Sequence, residues 1–93
     1  NDILFIESLK DYIKVNTTLG DYVVHKSLSA ITEELPQSSF LRIHRSYTIS
    51  INKISALEGN TVEILNKKIP IGRNYLKITK QRIFNINDEK KNN

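Results

Sequence analysis

The stretch from Phe40 to Ile51, FLRIHRSYTISI, constrains the fold of this chain more than any other. Leu41 and Ile43 alternate with Arg42 and His44, and Tyr47, Ile49 and Ile51 alternate with Thr48, Ser50 and Asn52. A period of two on both sides of an interruption predicts two half-buried strands. The interruption is Arg45-Ser46, which supplies the turn between them. A turn lifts its side chains clear of a sheet while the strands hold its base, so Arg45 is presented to something outside the protein.

The remainder of the chain reads as further short strands and two helices. Ile3 to Ile6 is an apolar run of β-formers that Glu7-Ser8 ends, and Lys10-Asp11-Tyr12 makes a polar turn, either a contact loop or an ordinary solvated one. Ile13, Val15 and Thr17 alternate with polar neighbours, Leu19-Gly20-Asp21 supplies a turn, and Tyr22 to Lys26 returns. At Ser27 the period changes: Leu28, Ile31 and Leu35 stand at helical spacing, Ser27 can cap the first turn, and Pro36 forbids continuation. After the central stretch, Ile54 to Leu57 and Thr61 to Ile64 flank a Glu58-Gly59-Asn60 turn. Asn66-Lys67 then leads into Lys68 to Ile71, which Pro70 marks as an edge strand. Gly72-Arg73-Asn74 is a strand-to-helix junction, with Asn74 placed to cap a helix from Tyr75 to about Phe84 whose core side is Leu76, Thr79 and Ile83. Residues 1–85 thus form one domain and residues 86–93 a polar, frayed tail.

Composition narrows the function classes. The 93 residues suffice for one small core, and no stretch approaches the roughly 20 apolar residues of a membrane span. With no cysteine and two unclustered histidines, no metal site is expected, and the lack of thiols fits a reducing compartment. The serines lack a Gly-x-Ser-x-Gly elbow, and the three glycines form no nucleotide fingerprint, so neither enzyme nor cofactor is expected. Glu33 and Glu34 are adjacent on a helix and do not face one another, which argues against an acid/base pair. The chain lacks methionine and opens within an apolar run, as a piece of a longer polypeptide would.

Charge distribution says more than the net of +4. Residues 1–39 hold three lysines against six acids, a net of −3, whereas residues 40–82 hold nine lysines and arginines against two glutamates, a net of +7. A basic half suits a polyanion. Arg45 and Arg73 both lie in that half, and Arg73 stands just ahead of a helix N-terminus, whose free N–H groups favour a phosphate. A guanidinium on a short loop can also donate two parallel hydrogen bonds to guanine, a contact worth roughly 1–3 kcal/mol of discrimination. On the residues alone, an ion-pair or phosphate role for either arginine stays open. For His44 a phosphate contact and a hydrogen bond that shapes the turn are both available, and the second is the better reading.

RIHRSY, followed after a gap by IPIGRNY, resembles the signature of LytTR domains, the DNA-binding output modules of bacterial response regulators. The resemblance runs from Phe5-Ile6-Glu7-Ser8 through Ser27-Leu28 and Leu35-Pro36 to the helix near Arg82. The chain departs from it at Ile49-Ser50, where Val-Asn is common, and at Gly72, where a serine hydroxyl often stands. The resemblance implies a mostly β fold of stacked antiparallel sheets, with one short helix between strands and a C-terminal helix. It implies sequence-specific binding of double-stranded DNA in the cytoplasm, with Arg45 and Arg73 contacting bases and the Lys10 to Tyr12 turn as a third contact. An upstream receiver domain would control homodimerisation. Ser46, Lys53, Lys68, Asn74 and Lys77 lie near these loops in sequence and are the expected phosphate contacts. Five neutralised phosphates would give a slope of log affinity against log salt near about −4 to −5. The rival from another class is a protein-interaction module that adds a partner strand at Lys68 to Ile71.

Overall fold

The computed structural model describes residues 2–91, with side chains described for residues 2–85. Eight strands and two helices follow one another as β1 (Ile3–Ser8), β2 (Ile13–Thr17), β3 (Gly20–Val24), α1 (Leu28–Glu34), β4 (Phe40–His44), β5 (Tyr47–Ser50), β6 (Ala56–Glu58), β7 (Thr61–Ile64), β8 (Lys67–Pro70) and α2 (Leu76–Lys91). Short 3₁₀ turns, Ile51–Lys53 and Arg73–Tyr75, precede β6 and α2. The strands form a five-stranded sheet in the order β3-β2-β1-β5-β4 and a three-stranded sheet β6-β7-β8, antiparallel throughout. This is the mostly β arrangement of two sheets and two helices that the sequence predicts.

Two apolar layers lie on opposite faces of the large sheet. One joins it to the small sheet and α2: Leu41, Ile43 and Ile49 pack with Val62, Ile64 and Ile69, and Leu76 and Ile83 pack against them. The other seats α1, with Leu28 among Ile6, Ile13 and Val15. A register shift between Ile3 and Phe5 sets two residues of β1 against one of β2. Such a bulge breaks the alternation, and Leu4 and Phe5, consecutive in sequence, both join the first layer while Ile6 joins the second.

Helix α1 begins and ends as its residues dictate. The Ser27 hydroxyl accepts from the Ala30 amide at 3.1 Å, satisfying a donor the first turn cannot. The amide of Leu35, the capping residue before Pro36, donates to the Ile31 and Thr32 carbonyls.

Five local expectations are corrected. Strand β5, between β1 and β4, is buried on both sides: Thr48 is fully buried and its hydroxyl meets that of Thr32 on α1 at 2.7 Å, so Thr48 and Ser50 are not a solvent face. The segment after β5 first makes the 3₁₀ turn Ile51–Lys53, which delays β6 to Ala56. The β7–β8 turn is Leu65-Asn66, with Leu65 at φ 54, rather than Asn66-Lys67. Asn74 lies inside a 3₁₀ turn that starts at Gly72, so it does not cap α2, and α2 runs past Phe84 to Lys91 through much of the expected tail. Asn92 and Asn93 lie outside the described residues.

Candidate nucleic-acid interface

One end of the large sheet gathers three turns that are distant in sequence. The first is Arg45-Ser46, the two-residue link between β4 and β5. A register shift between Arg42 and His44 places an extra residue of β4 at its base, and a bulge of this kind re-aims the residues beyond it. The His44 ring folds over the turn, accepting the Ser46 amide at Nδ1 at 3.0 Å and lying 5.4 Å from the Tyr47 ring. His44 therefore shapes the turn, and Arg45 is exposed at its tip.

The second turn is joined to the first by backbone. The Ser8 amide, at the end of β1, donates to the Ser46 carbonyl at 2.8 Å, and the Leu9 amide donates to the Tyr12 carbonyl at 2.8 Å to close the next loop. Lys10 is exposed on this loop, and the half-buried Tyr12 stands edge-on to His25 with ring centres 6.2 Å apart.

The third comes from the small sheet. Past β8, the Gly72 amide donates to the Ile43 carbonyl at 2.8 Å. The approach is close: a Cβ at position 72 would meet Tyr75 Cδ2 at 3.0 Å, so that the ring would have to give by a few tenths of an ångström, and would stand in ordinary contact with His44 Cα at 3.5 Å. Arg73 comes immediately after, exposed on the first residue of the 3₁₀ turn, with Asn74 exposed beside it and Lys77 exposed in the first turn of α2. Since His44 precedes Arg45 and Gly72 precedes Arg73, this contact brings the two arginines to the same end of the domain.

Among the described residues, neither arginine is tied to a carboxylate. The ion pairs among the described residues are Lys14 with Asp21 and Lys26 with Glu34, both elsewhere. Below the turns, the Tyr47 hydroxyl donates to Glu7 Oε2 at 3.3 Å. Burial and the adjacent Glu7 charge, which also accepts this hydrogen bond, raise the phenol's pKa above 10.0.

Two expected phosphate contacts stand apart from this end. Lys53 closes the 3₁₀ turn after β5, where the Ile51 amide bonds the Ser39 carbonyl at the opposite end of the hairpin. Lys68 pairs across the small sheet with Glu63 and shares a shallow hollow with Glu58, roughly 13 Å back from Gly72 at about 3.3 Å per strand residue. Ser46, Asn74 and Lys77 do lie beside the arginines. The sequence reading left Arg42 without a role. Its guanidinium bonds the His44 and Arg45 carbonyls and Ser29 Oγ. The available signal was an arginine on the helix-facing side of a strand, two residues before the strand ends.

Comparison with known proteins bears on the family and the fold. The family model of the LytTr DNA-binding domain matches residues 1–84. Sensory transduction protein LytT of Bacillus anthracis is 33% identical over 86 residues, covering 86% of this chain and 35% of that protein. Transcriptional regulatory protein YpdB of Escherichia coli K12 is 32% identical over 88 residues, covering 87% of this chain and 36% of that protein. The chain thus spans about a third of the length of these relatives. A solved LytTr DNA-binding domain from Bacillus cereus has the same fold, with a TM-score of 0.80 at 23% identity over 88% of this chain and 81% of that one. Among the described residues, no helix is long and apolar enough to cross a membrane.

Proposed function

The chain belongs to the LytTR family of DNA-binding domains, and from that premise we propose that it binds specific sequences of double-stranded DNA with Arg45 and Arg73 as base readers. The observation that carries this reading is the seating of Gly72 against His44, which sets the two exposed guanidinium groups on neighbouring turns with no carboxylate partner among the described residues. Each has the fork geometry that suits the O6 and N7 of guanine in the major groove. Lys10 and Tyr12 on the adjoining loop are the third base contact. Ser46, Asn74 and Lys77 hold phosphates and set register rather than preference.

The domain serves as the output module of a two-component transcriptional regulator in the cytoplasm. An upstream receiver domain, switched by phosphorylation, pairs two copies on repeated promoter elements. The regulatory names of LytT and YpdB support this reading, as does the third of their length that the matched region occupies. Strand addition at β8 is less well supported. The strand is an edge, but Lys67, Lys68 and Pro70 are devices that keep an edge from pairing.

The test begins with selection of bound sequences from a random duplex pool, followed by anisotropy titrations of the selected duplex and a scrambled one. Arg45→Ala and Arg73→Ala should each weaken the selected duplex by about 1–3 kcal/mol, the worth of one bidentate base contact, with little change on the scrambled one. An unchanged ratio of the two affinities in both variants would remove base reading by these arginines.

A further inference from the structure

Arg42 has no part in the DNA contacts proposed above, yet its guanidinium is the most heavily used side chain beneath the interface. It stands on β4 opposite Thr48, next to the register shift. Nε donates to the His44 carbonyl at 2.9 Å and Nη2 to the Arg45 carbonyl at 2.6 Å. These two donors share one edge of the planar group, so a single rigid fork grips two consecutive carbonyls of the reader turn. Nη1 donates to Ser29 Oγ on α1 at 3.0 Å. Three of its five N–H donors are therefore committed within the protein.

The same turn is held from its other side. The Ser46 amide donates to His44 Nδ1, and the Ser46 carbonyl accepts from Ser8. The backbone around Arg45 is thus fixed before and after its Cα, and the Arg45 side chain is left exposed. A base contact demands an arginine root fixed to a fraction of an ångström, whereas attraction to the phosphate backbone tolerates a mobile one.

We propose that Arg42 is a positioning residue for sequence reading: it anchors the Arg45 turn to α1 and governs preference among duplexes without touching DNA. This rests on the reading of Arg45 as a base contact. A lysine cannot replace it, because a single ammonium cannot grip two carbonyls in the fixed geometry of the fork.

The experiment measures Arg42→Ala and Arg42→Lys against the selected and scrambled duplexes, together with ¹⁵N relaxation of the DNA-free proteins. Arg42→Ala should lower the ratio of the two affinities by about tenfold, within the range for one lost base contact, and leave the scrambled duplex within about twofold. The order parameters at Arg45 and Ser46 should drop from a rigid value near about 0.85 towards about 0.6. Arg42→Lys should behave like the alanine variant, and adding Arg42→Ala to Arg45→Ala should cause no further loss of ratio. Equal weakening of both duplexes, restored by lysine, would instead make Arg42 a phosphate contact and overturn the proposal, as would unchanged order parameters. If Arg42→Ala does not fold, Ser29→Ala tests the same anchor: a two- to threefold fall in ratio is expected by about 0.5 kcal/mol, and an unaltered ratio with unaltered order parameters refutes it. Should Arg45→Ala itself leave the ratio intact, base reading fails. Should Arg45→Ala flatten the ratio and Arg42→Ala not, only the positioning role fails.

Discussion

Gly72 rests against His44 and the Tyr75 ring: a single added carbon would stand in ordinary contact with His44 Cα at 3.5 Å and tighter, at 3.0 Å, against Tyr75 Cδ2. The Gly72 backbone, at φ −66 and ψ 148, is one any residue adopts, so the constraint is steric and not conformational. Gly72→Val, with two further carbons, should displace the Tyr75 ring and crowd β4 at His44, costing about 1–3 kcal/mol of stability as overpacking does. The same displacement moves Arg73 relative to Arg45. Urea denaturation and duplex titration check the two halves of this prediction, and full affinity for the selected duplex would show that the spacing of the turns is unimportant.

The placement of the lysines predicts an uneven salt response. Lys77→Ala should weaken selected and scrambled duplexes alike and reduce the magnitude of the log–log salt slope by about 1, the signature of one lost phosphate contact. Lys53→Ala and Lys68→Ala should leave the slope unchanged, since one lies at the far end of the hairpin and the other beside Glu63 and Glu58. Titrations across a range of salt concentrations decide it.

Alkaline pH should loosen the floor of the interface. Tyr47 has a raised pKa in the folded protein, from burial first and then from Glu7. The folded state holds the phenolic proton more tightly than the unfolded state does. The corresponding stability is fully present below pH 10.0, the unperturbed value, and is lost as pH rises through the folded value. Thermal unfolding of the wild type should fall more steeply above that pH than unfolding of Tyr47→Phe, which has no proton to lose. Parallel pH profiles would contradict this.

Leu65 occupies a left-handed conformation, φ 54, and the residue is 63% exposed. A leucine there gives up roughly 1–2 kcal/mol that asparagine or glycine largely avoids. Leu65→Asn should accordingly stabilise the domain by about 0.5–1 kcal/mol and raise the melting midpoint by a few degrees. DNA binding should not change, because the β7–β8 turn is at the other end of β8 from Gly72. Calorimetry on the two proteins suffices.

The strands around Arg45-Ser46 were legible because alternation is a local signal, and α1 because Ser27 and Pro36 bracket a helical spacing. Features that depended on neighbours were not legible. Thr48 reads as a solvent-facing residue until α1 covers it and supplies the Thr32 hydroxyl. A leucine carries no mark of positive φ, so residue types alone point to Asn66-Lys67 and not to the actual Leu65-Asn66 turn. Asn74 has the chemistry of a cap but not the position, because the close contact at Gly72 starts the 3₁₀ turn one residue earlier. Nearness in sequence does not bring Lys53 and Lys68 beside the two arginine turns, since a strand carries its far end well away from a turn. Arg45, Arg73 and the Lys10 to Tyr12 loop did gather at one end, through bonds between Ser8 and Ser46 and between Gly72 and Ile43 that no single segment announces.

The bond from Gly72 to Ile43 crosses from one sheet to the other, and Ile43 itself is wholly buried between them. That bond ties the roots of Arg45 and Arg73 together, and the oily filling behind it holds the two sheets to it, against a DNA ladder whose rungs rise about 3.4 Å apiece. With Arg45 and Arg73 reading bases as proposed, trimming a methyl group deep in that filling should retune which rungs can be met at once, so that substitutions far from any nucleotide alter the preferred site.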